Sequence, residues 1–179
     1  ADTFKYDPVN PAPTRGGPLC CQQDLLLPGP KEQADIEKRN DVLIYSTPPL
    51  ESDLNVTGPA TLDLWIKSSA ASTDFTGKLV DVWPNGFAQN ITEGILRLRK
   101  IDPGAQQITI DLWATSNVFQ AGHRLRLEVS SSNFPRFDRN LNTGDPDIAH
   151  ATRHVVADNT VLHDKSHPSA LVLSVMPGK

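Results

Sequence analysis

The segment SSNFPRFDRNLNTG, residues 131–144, concentrates side chains that could do chemistry. It places two arginines, two phenylalanines and three asparagines around Pro135. This mixture suits an active site, a ligand site or a turn held by its own side chains. In the structural interpretation, Phe134 and Phe137 are buried at the end of a sheet and Pro135 fixes the bend. Arg136, Asp138 and Arg139 then tie the loop by charge-assisted hydrogen bonds.

A hydrolytic triad is not visible in this sequence. The nucleophile motif G-x-S-x-G does not occur, and Ser166-His167 are adjacent only in sequence, where Pro168 favours a turn. Asp74 and Asp81, in DFTGKLVDVWPNG, could hydrogen-bond across sheets or to a missing partner. Neither has a partner carboxylate at a spacing that suits acid–base chemistry. We therefore expect no catalytic residues in this chain.

The sequence also predicts neither a metal site nor a cofactor. Four histidines cluster late in the chain, but their spacing in a strand-rich region favours surface or turn positions over a metal site. A second set of Asp and Asn side chains could instead supply oxygen ligands for calcium. This set does not match the EF-hand pattern, and two nearby arginines oppose a cation. These residues are His150, His154, His163 and His167 for the first set, and Asp138, Asn140, Asn142, Asp145 and Asp147 for the second. The adjacent Cys20 and Cys21 predict two half-buried thiols, because neighbouring cysteines seldom pair with each other.

The elements that must position these residues are predicted to be strands. Apolar and polar residues alternate with period 2 in TLDLWIK, QITIDLW, HRLRLEV and ALVLSV, while GKLVDVW and GILRLR add two more candidate strands. Such alternation indicates sheets with one buried face and one wet face, and hence antiparallel pairing. We predict an all-β, jelly-roll β-sandwich of the galactose-binding-domain-like kind, with about eight to nine antiparallel strands.

Turn-forming residues and the proline content predict that the chain has two parts. We expect residues 1–40 to form an extended, irregular Pro/Gly-rich arm, with two helical turns at most in KEQADIEK, and residues 41–179 to form the sandwich. Turns are predicted at Pro84-Asn85-Gly86, Pro103-Gly104 and Ala121-Gly122. Asp158-Asn159 is predicted to close a hairpin between HVVA and TVLH.

The composition of the chain limits the classes of partner that we expect. The formal net charge of -4 gives no reason to expect nucleic acid, and no apolar run is long enough for a membrane span. The first residues lack the pattern of a secretory leader, and the two cysteines require no oxidising compartment, which favours a cytoplasmic location. Because the chain has no initiator Met and starts in a Pro-rich tether, we expect a processed chain or an excised fragment. The sequence leaves a homo-oligomer open.

The run VFQAGHRLRLEVSSSNFPRFDRNLNTG closely resembles the C-terminal domain of the X-Pro dipeptidyl-peptidase and CocE/NonD family of serine hydrolases, which includes cocaine esterase-like acyl esterases. YDPVNPAPTRGGPLCC, the segment from DVLIYSTPPL to ILRLR, and HPSALVLSVMP extend the resemblance in the same order, and the double cysteine resembles a family feature. The resemblance implies a jelly roll that packs on an α/β-hydrolase catalytic domain, where the triad lies. It implies a non-catalytic module here.

On this hypothesis, the loop after HRLRLEVS either ties the fold and the domain interface or borders the substrate cleft. The candidate residues for the cleft or the interface are Asn133, Phe134, Arg136, Phe137, Asp138 and Arg139. The alternative is a free-standing β-sandwich that binds carbohydrate or another ligand through exposed aromatic rings. The candidates for such rings are Trp65, Trp83 and Trp113, although tryptophans within strands are more often core or interface residues.

Overall fold

The computed structural model describes residues 1–19, 26–146 and 151–177. The role of Cys20 and Cys21, and the positions of His150 and Asp147, lie outside the described residues. In the described parts there are nine strands and one short helix. Their bounds are β1 (Asp2–Tyr6), α1 (Ala34–Glu37), β2 (Leu43–Ser46), β3 (Leu54–Ser68), β4 (Thr73–Val82), β5 (Ala88–Leu98), β6 (Gln106–Phe119), β7 (Arg124–Ser130), β8 (Ala157–Leu162) and β9 (Ala170–Val175).

The strands form two antiparallel sheets that pack face to face. The first sheet has the order β1-β8-β3-β6, and β9 also pairs with β3; the second has the order β2-β7-β4-β5. β3 is long enough to pair with β8 through Trp65–Ser68 and with β9 through Val56–Asp63 on the same side. The predicted all-β jelly-roll sandwich is confirmed. The described residues contain no helix with the length and apolar character needed to cross a membrane.

The core lies between the sheets and follows the alternation of the sequence. Leu62, Leu64 and Ile66 from β3 meet Ile108, Ile110 and Leu112 from β6, and the second sheet contributes Phe75, Leu127 and Val129. The turns predicted at Pro84-Asn85-Gly86, Pro103-Gly104 and Ala121-Gly122 each separate two strands, as expected.

β4 is buried along its whole length, because both of its faces are covered. Phe75 and Leu79 belong to core clusters between the sheets. Lys78 lies on the other face, where its ammonium donates a 2.7 Å hydrogen bond to Gln33 of the N-terminal segment. The N-terminal segment therefore acts as a third layer over the second sheet. A domain division at residue 40 stays a prediction.

The hairpin predicted at Asp158-Asn159 is wrong. Both residues lie inside the continuous strand β8, which pairs with β1 on one side and β3 on the other. Asn159 is buried, and its amide donates to the hydroxyl oxygens of Ser131 (2.7 Å) and Thr73 (3.3 Å). An Asp-Asn pair favours a turn locally, but here the ladder on both sides and the buried amide contacts stabilise the extended backbone.

Candidate functional site

The predicted loop follows β7 and is fixed to the N-terminal segment by backbone hydrogen bonds. The Phe134 N–H donates to the carbonyl of Ala12 at 2.9 Å, and the Thr14 N–H donates to the carbonyl of Phe134 at 2.7 Å. The Arg136 N–H donates to the hydroxyl oxygen of Thr14 at 3.1 Å. These bonds make the loop and residues 12–14 one surface feature, although 120 residues separate Ala12 from Ser132 in sequence.

Charged side chains tie the other end of the loop. Arg97 of β5 holds the carboxylate of Asp74 through three contacts of 2.7 to 3.2 Å and donates to the carbonyl of Asp138 at 2.6 Å. Hydrogen bonding to Asp74 raises the pKa of the Arg97 guanidinium above its usual value. Arg139 donates to the carbonyl of Pro8 at 2.9 Å. Asn140 donates to Asp74 at 2.8 Å, so the side-chain partners of Asp74 lie on the neighbouring strand of its own sheet and in the loop.

The two phenylalanines of the loop differ in exposure. Phe137 is half-buried and lies under the Arg136 guanidinium, whose central carbon is 4.8 Å from the ring centroid. Phe134 is 39% exposed, so the expectation that both rings are buried is wrong for Phe134. Its backbone carries the contacts to residues 12–14, which leaves the ring at the surface.

Beneath the loop lies a buried charge cluster that sequence reasoning missed. Arg136 contacts Glu93 of β5, and the Lys78 ammonium lies 3.8 Å from Glu93 and 3.4 Å from Glu128 of β7. Burial raises the pKa of Glu128 to about 7, and Lys78 partly offsets this effect. One carboxylate oxygen of each glutamate and the amide oxygen of Asn133 are buried without a hydrogen-bond partner among the described residues. They line a cavity of about 20 Å³, room for about one water molecule.

A larger surface hollow lies on the other side of Gly17 and has a volume of about 370 Å³. We call it the Trp113 hollow, after its largest side chain. A Cβ on Gly17 would lie 2.5 Å from Glu93 and 3.0 Å from Arg136, so the hollow and the predicted loop are neighbours. The lining residues are Gly17, Pro18, Gly29, Pro30, Asn90, Ile91, Thr92, Trp113 and Ala114.

Trp113 lies at a bulge in β6. The register with β3 shifts between Pro59 and Thr61, and Trp113 adopts a φ of 67° while its N–H donates to the Asp111 carboxylate at 2.7 Å. The inward residues before the bulge are even-numbered, whereas Phe119 after it faces the core. Trp113 is 65% exposed and Trp83 is 42% exposed, so neither is a core residue and an interface role stays open for both.

Across the described residues, no serine or threonine hydroxyl hydrogen-bonds an imidazole. The imidazoles with side-chain hydrogen bonds contact aspartates instead: His123 with Asp81 (2.8 Å), His163 with Asp2 (2.8 Å) and His167 with Asp164 (3.1 Å). Within the same residues there is no group of three or more His, Cys, Asp or Glu side chains that could hold a metal ion. Asn140 and Asn142 of the calcium alternative are buried and bond to neighbouring groups of the fold.

Comparison with known proteins agrees with this arrangement. The cocaine esterase of Rhodococcus sp. is 42% identical over 187 aligned residues, which cover 98% of this chain and 32% of the esterase. An aminopeptidase from a marine sediment archaeon of the Thaumarchaeota superimposes with a TM-score of 0.88 at 27% identity, over 98% of this chain and 33% of the aminopeptidase. An α-amino acid ester hydrolase superimposes with the same TM-score at 26% identity, over 98% of this chain and 32% of the hydrolase.

This chain therefore spans about a third of the length of these relatives. The family described as the X-Pro dipeptidyl-peptidase C-terminal non-catalytic domain matches residues 1–172. That match covers the predicted loop, the Trp113 hollow and both sheets except for residues 173–175 of β9. The protein described here belongs to the family of X-Pro dipeptidyl-peptidase C-terminal non-catalytic domains.

Proposed function

We propose that this chain packs on the catalytic domain of an ester or peptide hydrolase, and that the Trp113 hollow and the loop at residues 133–139 form the contact surface. The relatives are an esterase, an aminopeptidase and an ester hydrolase, and hydrolysis of an ester or peptide bond takes place at a carbonyl carbon. The partner is then a domain that supplies the nucleophile, and this chain forms one side of the site next to that nucleophile.

The exposed ring of Trp113 is the observation that carries this proposal. A tryptophan that is 65% exposed leaves roughly 150 Å² in water, and covering that area contributes about 4 kcal/mol before the costs of association. Trp is also the residue type most enriched among the energetic centres of interfaces. The hollow beside it is concave and lined mainly by apolar side chains and glycine backbone, which suits a protruding side chain of a partner.

The loop at residues 133–139 suits the border of a substrate cleft. The backbone of the loop hydrogen-bonds to Arg97 and Thr14, and the buried Glu93 contacts the Arg136 side chain. These contacts hold the loop, and with it Phe134, in a fixed position. Binding sites at domain boundaries commonly use such fixed loops. We place Phe134 and Arg139 nearest the substrate, since both are exposed.

The test compares Trp113→Ser with Trp83→Ser in the parent hydrolase. We expect Trp113→Ser to separate one thermal unfolding transition into two, because the docked surfaces lose their central contact. Trp83→Ser is the matched control, since Trp83 is also exposed but its ring contacts the rings of Phe87 and His123 in its own domain. The 179-residue chain alone should hydrolyse no p-nitrophenyl ester. Turnover that survives purification, or equal effects of both substitutions, would overturn the proposal.

A carbohydrate-binding module is the second candidate. The observation in its favour is that the exposed Trp113 ring lines a concave hollow, where a sugar ring could pack against its face. A glycan array probed with the 179-residue chain separates the two hypotheses. Saturable binding that Trp113→Ser abolishes would favour the module, whereas absence of binding together with the split transition favours the docking surface.

A further inference from the structure

A groove of about 500 Å³ opens the interior of the sandwich between β2 and β9. Leu62 and Leu64, which belong to the main core cluster, form its floor. Because core side chains line it, the groove is a gap in the packing between the sheets. Its leucines are Leu62, Leu64, Leu125, Leu127, Leu171 and Leu173.

The strand on one side of the groove, β9, has a free edge. Among the described strands, β9 pairs only with β3. Leu171 and Leu173 point toward the groove, while Val172 on the opposite face is half-exposed. An apolar strand with an unpaired edge is a template for one more strand, and proteins usually cover such edges.

The path of β1 leads to this groove. β1 pairs antiparallel with β8, with Asp2 opposite Val161. The Asp2 carboxylate accepts a hydrogen bond from Tyr45 at 2.9 Å and lies 2.8 Å from Nε2 of His163. Tyr45, Val161 and His163 all line the groove, so β1 begins at its mouth.

The sheet topology also gives the direction of a further strand. β8 and β9 pair with successive parts of β3, both antiparallel to it, so they run in the same direction one after the other. β1 lies along β8 and antiparallel to it. Residues that precede β1 and continue its direction in a straight line therefore run beside β9, antiparallel to it, and lie over the groove.

We propose that an extended segment of the parent hydrolase, immediately before β1, pairs with β9 as a further strand and closes this groove. This inference rests on the proposed function, since it needs the longer polypeptide. The segment carries aliphatic or aromatic side chains at every second position, because only alternate residues of a strand face the leucines. Its other residues face outward beside Val172 and are not restricted to apolar types.

The test measures backbone amide hydrogen exchange in β9, in the 179-residue chain and in the full-length hydrolase. The amides of β9 that face away from β3 should exchange about 100-fold more slowly in the full-length hydrolase, because they gain ladder partners there. Equal exchange rates in the two proteins would overturn the proposal. Slow exchange that appears only at high protein concentration would also overturn it, since the occupant would then be a second copy.

The accessibility of Trp113 to an aqueous fluorescence quencher separates this inference from the proposed function. If Trp113 is covered in the full-length hydrolase while the β9 amides still exchange quickly, the added strand fails and the docking surface stands. If the β9 amides are protected while Trp113 stays accessible, the strand stands and the docking surface fails.

Two variants of β9 in the full-length hydrolase provide a matched pair. Leu173→Ser should restore fast exchange along the edge of β9, since it removes a contact inside the groove. Val172→Ser lies one residue away on the opposite face and should leave exchange unchanged. The wild-type comparison does not depend on either variant, so loss of folding by Leu173→Ser would not remove the test. Equal effects of the two variants on exchange would contradict the proposal that the segment binds over the groove.

Discussion

The substitution Glu128→Gln tests the buried charge cluster most directly. Glu128 is almost fully buried, one of its carboxylate oxygens has no hydrogen-bond partner among the described residues, and the Lys78 ammonium lies 3.4 Å from the other. Burial raises its pKa from 4.5 to about 7, with Glu37 and Glu93 adding to the rise and Lys78 opposing it. Gln has nearly the same shape and cannot ionise, so it mimics the protonated glutamate.

The sign and size of the effect follow from this pKa. Between pH 4.5 and 7 the folded chain keeps the proton on Glu128 while the unfolded chain has lost it, so the contribution of this group to stability falls as pH rises through this range. A difference of about 2.5 between the two pKa values corresponds to about 3 kcal/mol. We expect Glu128→Gln to match the wild type near pH 4.5 and to be more stable by up to about 3 kcal/mol at pH 8.

The assay is urea unfolding of the 179-residue chain, followed by tryptophan fluorescence at several pH values from 4.5 to 8. Glu51→Gln serves as the control, because Glu51 is exposed and should leave the pH profile unchanged. Parallel pH profiles for the wild type and Glu128→Gln would refute the reasoning. They would show that Glu128 is ionised in the folded chain at the same pH as in the unfolded chain.

Two further substitutions test the packing around the site. Arg136→Met leaves the buried Glu93 without its guanidinium partner, so the free energy of unfolding in urea should fall by about 3–5 kcal/mol. Adding Glu93→Gln should restore most of this loss, because no unpaired carboxylate then remains. No recovery in the double variant would contradict the pairing. Gly94→Ala would place a Cβ 1.9 Å from the carbonyl oxygen of Asp111, so we expect a loss of about 3 kcal/mol or more. Gly86→Ala, where a Cβ meets nothing within 4 Å, should cost only about 1–2 kcal/mol for its left-handed backbone, and equal losses would show that the contact with β6 is not the cause.

Period-2 alternation was sufficient to predict the strands with one face in the core. TLDLWIK, QITIDLW and ALVLSV lie in strands, HRLRLEV does so from Arg124 onward, and the glycine-containing turns lie between strands. These signals are local, since the alternation of a strand depends on its own two faces. The two-layer architecture followed from them.

Long-range contacts decide the features that the sequence did not predict. β4 shows no alternation because the N-terminal segment covers its outer face, and no property of TDFTGKLVDV alone indicates that cover. The cluster of Lys78, Glu93 and Arg136 brings together residues from β4, β5 and the loop. The signal that could have suggested it is a lysine in one predicted strand, GKLVDVW, and a glutamate directly before the next one, GILRLR.

The candidate loop was found from its composition, but its geometry was not. Nothing in SSNFPRFDRN shows that the backbone of Phe134 bonds to Ala12 and Thr14 and leaves the ring exposed. The position of Trp113 at one extra residue in β6 relative to β3 was also not predicted. A bulge of this kind changes no residue type, so alternation alone placed Trp113 in a regular strand.

The bulge at Trp113 means that β6 behaves as two strands joined with a phase change. Before it, Ile108, Ile110 and Leu112 face the core, and after it the side chain of Phe119 does. Leu112 and Trp113 together oppose Ala60, so deleting Trp113 would bring the two halves into a single alternation in which Phe119 still faces the core. The exposed ring is therefore carried by the one residue that the ladder with β3 does not need. A lineage could lose this ring by a single deletion and keep the packing of both ends of β6.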